Sequence, residues 1–205
     1  MKTLQIAFLL FLCTLFGSCS ANRLLSSWND PSFVEHSMAT VLIVGIAKDE
    51  TKRRIYEDTF ADSLARTNTP SVASYTVSKQ SIEPTKEALE NAIKKTAAKT
   101  VLITHMISEG EKGFYQPSNR TIETNSYSNY GGLYSYYPFI YNAVYSSGSY
   151  QSSTKVILET NLYDVETEKL IWSARSESID PVMTRKFYQQ LIDLFLNDLS
   201  KKNLL

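Results

Sequence analysis

The sequence predicts a single α/β domain: a mixed sheet of about five strands with three helices, in the order βαβαβ and then ββα. Three observations carry that prediction. Two continuous β-branched runs, residues 40–47 and 101–107, read as strands covered on both faces. Between them Tyr56, Phe60 and Leu64 recur every four residues, the stripe of an amphipathic helix. Residues 156–165 and 170–179 flank the short charged turn 166–169 and read as an antiparallel hairpin.

The elements follow in order. Asp49 is placed to cap the first helix, and Glu50 favours its first turn; Ile55 falls off the apolar stripe. Asn68, Thr69 and Pro70 end that helix. Residues 72–78 alternate around Tyr75 and read as a second strand. Pro84 fits the first turn of a second helix, on which Leu89, Ala92, Ile93 and Ala97 share one face while Glu90 and Lys94 pair on the other. Crossovers of this length favour parallel neighbours with right-handed connections. After the hairpin, Asp180 as cap and Pro181 at the first helical position open the last helix. Its buried side is predicted to be Met183, Phe187, Leu191, Leu194 and Phe195, with Trp172 packed against it through Phe187 or Leu191.

Composition bounds the function. The 205 residues suit one domain, or at most two small ones. Lysine plus arginine and aspartate plus glutamate both number 21, so the chain lacks the basic excess of a nucleic-acid binder. At 43% hydrophobic and 20% charged it is not a disordered tail.

Residues 1–18 read as a signal peptide. Lys2 is their only charge, and the apolar run 6–16, broken only by Thr14, is too short to span a bilayer. Gly17-Ser18-Cys19 then looks like a bacterial lipobox, although Phe16 stands where that pattern favours leucine. The resemblance implies that Cys19 carries lipid and begins the mature chain, and that Ser20 directs it to the outer membrane, on its periplasmic face. Cys13 leaves with the signal, so no thiol remains for a disulfide, a zinc site or a nucleophile. Residues 19–38 read as a lipidated tether, reaching about 60 Å if extended, with Trp28 and Phe33 docked on the domain edge.

The domain proper, residues 39–205, carries a tyrosine-rich insertion at about 112–154. Residues 124–154 contain no charge and hold eight of the 13 tyrosines: Tyr127, Tyr130, Tyr134, Tyr136, Tyr137, Tyr141, Tyr145 and Tyr150. The stretch is too long for an ordinary loop and too aromatic for a flexible linker. Two readings stand. The tyrosines form a surface for an envelope protein or glycan, since tyrosine supplies contact area at low entropy cost. Or the stretch is a β-excursion covering the domain's own sheet. The flanking strands carry complete apolar patterns without it, so it is expected to be separable from the fold.

Several segments together resemble a family of uncharacterised bacterial outer-membrane lipoproteins. They are Leu-Glu-Thr-Asn-Leu-Tyr-Asp at 158–164, Lys-Leu-Ile-Trp-Ser at 169–173, Trp-Asn-Asp-Pro at 28–31, Val-Leu-Ile-Val-Gly at 41–45, Arg53-Arg54 with Glu57, and Ser74-Tyr75. The resemblance covers most of residues 25–205 except about 112–154. At fold level the element order is similar to the N-terminal domain of TolB and to the α/β domain of CsgG-type envelope lipoproteins. The resemblance implies a compartment and a fold, and no catalytic residues.

Catalytic signatures are missing from the sequence. Gly45 stands alone after the first strand, without a phosphate-loop pattern, and Arg53 and Arg54 read as a solvated helix face. No nucleophile elbow occurs. His36 lies in the tether, and His105, inside an apolar strand, reads as a core or sheet-face residue. Two isolated histidines without cysteines make no transition-metal site, and no cofactor is expected. Glu57 and Asp58 adjoin on a helix; Glu159 and Asp164 differ by an odd number and face opposite sides of a strand. The sequence thus points to a non-catalytic envelope lipoprotein, an interaction or assembly accessory bound to the membrane by its lipid. The alternatives are an envelope carbohydrate-active or hydrolytic enzyme, or a CsgG-like secretion subunit.

Overall fold

The computed structural model describes residues 22–33, 40–78, 81–109, 132–146, 155–179 and 181–205. In chain order these hold β1 (Asn22–Asn29), β2 (Val41–Ile46), α1 (Glu50–Ala65), β3 (Ser71–Ala73), α2 (Lys86–Thr96), β4 (Thr100–Glu109), α3 (Leu133–Ser146), β5 (Lys155–Asp164), β6 (Leu170–Ile179) and α4 (Arg185–Lys201). The strands form one sheet in the order β1-β6-β5-β4-β2-β3. β2 runs parallel to β3 and β4, and the other pairings are antiparallel. The α/β class and the mixed sheet stand as the sequence predicts, with six strands and four helices described instead of about five and three.

Alternation along the strands splits the core into two layers. Val41 and Ile43 of β2 face α1 and α4, where they meet Phe60, Leu64, Trp172, Leu191 and Phe195. Leu42, Val44 and Ile46 face α2 and α3, where they meet Leu89, Ile93, Tyr136 and Ile140. Helices therefore cover both faces of the parallel portion, as the continuous apolar run of β2 demands.

The two added elements come from segments read otherwise in the sequence. Asn22–Asn29, inside the expected tether, is an edge strand paired antiparallel with β6, Asn22 opposite Ser178 and Trp28 opposite Ser173. An edge strand is held by its backbone on one side only, so it needs no apolar run to announce it. Trp28 lies on this strand and Phe33 packs against the core just beyond it. The second addition is α3, which turns part of the tyrosine-rich stretch into a helix with Leu133, Tyr136, Tyr137, Ile140 and Val144 buried against β2 and β4. Over these residues the stretch covers the domain's own sheet, as one of the two readings has it, but as a helix rather than a β-excursion, and it is not separable, because removing it uncovers that layer of the core. Gly132 docks the helix: its φ of +91° suits only glycine, and a Cβ there would stand 3.0 Å from the Glu168 carbonyl oxygen.

Three boundaries also differ. The second strand stops at Ala73, and residues 74–76 form a single 3₁₀ turn, because Ser74 and the Tyr75 amide turn in to bond the Glu57 carboxylate. Pro84 precedes α2, whose cap is Thr85, with its hydroxyl oxygen accepting from the Ala88 amide; Ala97, at φ 51°, ends that helix in the left-handed conformation. α4 begins at Arg185, four residues beyond Pro181, since the Thr184 hydroxyl oxygen accepts from the Phe187 amide. Asp180 lies outside the described residues. The buried side of α4 is Phe187, Tyr188, Leu191, Ile192, Phe195 and Leu199. Met183 and Leu194 are only half-buried. Trp172 is fully buried against α4, but its ring contact is with Phe195, edge-on at 5.9 Å, and its indole N–H donates to Asp198 over 2.8 Å.

Candidate functional site: a cavity at the carboxyl end of the parallel strands

From β2 the chain leaves to α1 on one face; the residues following β4 lead to α3 on the other. In an open α/β sheet the crevice between such diverging connections lies outside the carboxyl ends of the strands. A cavity of about 370 Å³ occupies that place here, within the usual range for small-molecule pockets. Residues 45–47 at the end of β2 and Thr104 and Met106 of β4 form its base. Val156 and Leu158 at the start of β5, Tyr56 of α1, Val144 of α3 and Tyr188 of α4 close its sides. Lys48, Asp49 and Lys52 at the start of α1 stand on one flank, and Pro181 and Met183 on another.

The polar groups of the base are spent on one another. The Tyr56 hydroxyl lies 2.6 Å from Thr104 Oγ1, which lies 3.0 Å from Thr160 Oγ1. Burial pushes the Tyr56 phenol far above its ordinary range, so it stays neutral. Burial, helped by the Asp49 charge, pushes Tyr188 up to about 12.

Behind the cavity lies a buried ion pair. Arg53 is 2% exposed and Glu57 not at all, which corrects the solvated face expected for Arg53. The Glu57 carboxylate accepts from the Gly45 amide at 2.9 Å, the Ser74 hydroxyl at 2.8 Å, the Tyr75 amide at 3.1 Å and Arg53 Nη1 at 3.3 Å. Arg53 also donates to Glu50 through Nη2 at 2.7 Å. Burial raises the Glu57 pKa, with the Gly45 amide and the Arg53 charge pulling against it. The lone Gly45 thus serves packing: a Cβ there would stand 3.2 Å from Arg53 Cγ and 3.5 Å from Glu57 Oε1.

On the α3 face of β4 and β5 a second polar cluster forms. Tyr136 donates its hydroxyl to Glu159 Oε1 at 3.1 Å and lies 3.3 Å from His105 Nδ1. Asn161 donates to the Tyr136 oxygen at 2.7 Å, and Arg175 grips Glu159 Oε2 through Nε and Nη2 at 2.9 and 2.7 Å. Burial lowers the His105 pKa, so the ring is neutral. Burial opposes the Glu159 charge, but the Arg175 guanidinium, by its charge and its hydrogen bonds, and the Tyr136 hydroxyl hold its carboxyl below the usual range.

The tyrosines singled out in the sequence are dispersed. Tyr136 and Tyr137 are buried, Tyr134 and Tyr141 are half-buried, and Tyr145 is 37% exposed. Tyr141 and Tyr145 stack with centroids 4.3 Å apart, and the Tyr145 hydroxyl donates to the Ala47 carbonyl beside the cavity. Lys86 stands over the Tyr134 ring. Cys19, Tyr127, Tyr130 and Tyr150 lie outside the described residues. The cavity itself was not legible in the sequence. Its one local signal is the spacing of Gly45, Arg53 and Glu57, which brings a charged helix turn against a strand end.

Among the described residues no group of three or more histidine, cysteine, aspartate or glutamate side chains could hold a metal ion. None of the cavity residues is a serine or cysteine nucleophile.

These features define an open, mixed-sheet α/β domain with a pocket at its topological switch point. No protein-family model and no curated protein sequence matches the chain. Among solved structures it is similar to the PelC dodecamer from Paraburkholderia phytofirmans, at 12% identity over 85% of this chain and 95% of that one, with a TM-score of 0.44. A single-residue variant of the same dodecamer is similar at 11% identity over the same shares, with a TM-score of 0.41.

Proposed function

We propose that the chain is a lipid-anchored, non-catalytic module of the cell envelope that acts by binding. The observation that carries the binding role is the cavity, whose walls are largely apolar and whose base hydroxyls already bond one another. A reacting site needs a nucleophile or a positioned base near its open volume; the one histidine in the wall is a neutral ring engaged by Tyr136. The envelope setting rests on Gly17-Ser18-Cys19 after the apolar run 6–16. Among the described residues no helix is long and apolar enough to cross a membrane.

Labelled palmitate with membrane fractionation tests the reading. Wild type takes up label and sediments with the outer membrane; Cys19→Ala takes up none and becomes soluble or stays unprocessed. A wild-type chain without label overturns the anchor.

A further inference from the structure

The cavity opens at the same end of the domain from which Cys19 departs. β1 runs antiparallel to β6 with Asn22 opposite Ser178, so the first described residue sits beside the carboxyl end of β6. Only Ser20 and Ala21 stand between Cys19 and Asn22, a span of at most about 10 Å. A lipid on Cys19 therefore holds this end of the sheet against the bilayer surface.

That end has the chemistry of a membrane-facing surface. Ile179 and Val182 are 50% and 73% exposed, the two most exposed large apolar side chains among the described residues. They bracket Pro181 and adjoin Met183, both of which line the cavity. Lys48, Asp49, Lys52 and Arg53 line it as well, with Lys52 paired to Asp49 at 3.4 Å, so its charged lining has more cations than carboxylates. Inside, Met106, Val144, Val156, Leu158 and Met183 offer aliphatic surface, and the Tyr56, Thr104 and Thr160 hydroxyls are paired with one another. The largely apolar walls favour an apolar part of an occupant inside, and exposed Lys48 and Lys52 at the cavity edge favour an anionic part outside. Resting on the anchor proposed above, we infer that this cavity takes an acyl chain of an anionic membrane lipid, drawn from the bilayer on which the domain sits.

The test uses the full lipidated chain in nanodiscs of phosphatidylcholine with a minor fraction of phosphatidylglycerol. The phosphatidylglycerol carries a diazirine near the end of one acyl chain. Irradiation and peptide mapping are expected to give phosphatidylglycerol-mass adducts within 156–158 or 183–188. Lys48→Glu combined with Lys52→Glu lowers this labelling about tenfold. Leu158→Trp, which fills the cavity, abolishes it while the chain stays anchored and melts cooperatively. Met183→Trp, outside every strand and helix, blocks the mouth where Leu158→Trp disturbs folding. Adducts confined to Ile179 and Val182, or none on an anchored chain, overturn the inference and leave the anchor standing. So does equal labelling when the diazirine is carried by phosphatidylcholine. Cavity adducts derived from labelled palmitate on Cys19 itself overturn the bilayer lipid as occupant. A chain that carries no lipid at Cys19 overturns both proposals.

Discussion

At the residue scale the decisive feature is a charge pair kept out of water. Arg53 and Glu57 are tolerated inside because the Gly45 and Tyr75 amides and the Ser74 hydroxyl supply the bonds that water would have made. Removing one partner leaves the other charged and buried. Glu57→Ala is therefore expected to cost about 3–5 kcal/mol, read as a fall in the urea midpoint. His105 gives a pH prediction. Its folded pKa lies below the ordinary 6.5, so below that pH the unfolded chain binds a proton that the folded one resists. Stability then falls as pH drops below 6.5. His105→Gln is expected to flatten that decline. Glu57, whose folded pKa is raised, contributes the opposite slope above its ordinary 4.5. That slope is present in both proteins, so the difference between their pH–stability curves reports His105 together with its effect on the neighbouring Glu159 carboxyl. Identical curves would show that the ring titrates normally.

At the element scale the domain is held by what β6 presents to α4. Trp172 contributes the largest fully buried side chain, closed over by Phe195 and tied to Asp198. Trp172→Ala is expected to cost about 3–5 kcal/mol, with loss of cooperative melting if α4 detaches; an unchanged melting temperature would contradict this packing. β2, β4 and the hairpin were legible because strands buried between layers must be apolar throughout. The first and last helices were legible because their stripes repeat at helical spacing. β1 was hidden because backbone pairing at a sheet edge leaves little trace in side chains. In α3, strand-favouring tyrosines and Pro138 masked the helical spacing of Leu133, Tyr136, Tyr137, Ile140 and Val144. The start of α4 was misplaced because Asp180-Pro181 has the form of a cap, yet the Thr184 hydroxyl makes the bond. The site was less legible than the fold. Arg53 and Glu57 could be picked out as helix charges, but their burial depends on how closely α1 approaches Gly45, a tertiary fact.

At the scale of the whole molecule, β1 changes the relation between anchor and domain. A tether over residues 19–38 would leave the domain free to range about 60 Å from the bilayer. With Asn22 paired to β6, the anchor proposed at Cys19 would hold this end of the sheet at the membrane and leave the other end away from it. β6 is 10 residues long, and at about 3.3 Å per residue its ends are roughly 30 Å apart. Val182 lies just beyond the end of β6 that pairs with Asn22, and Glu168, in the β5–β6 turn, lies at the opposite end. Mature chain in this reading has no free thiol, so Val182→Cys and Glu168→Cys each create one attachment point for a fluorophore. Lipid-borne quenchers at headgroup depth are expected to quench the dye at position 182 strongly and the dye at position 168 hardly at all. Inserting a flexible segment of about ten residues between Ala21 and Asn22 should weaken quenching at 182, because the added chain lets the domain lift away. Equal quenching at both positions would mean that the sheet lies flat on the bilayer. Quenching at 182 that survives the insertion would mean that Ile179 and Val182 hold this end to the lipid by themselves, without help from the short link to Cys19.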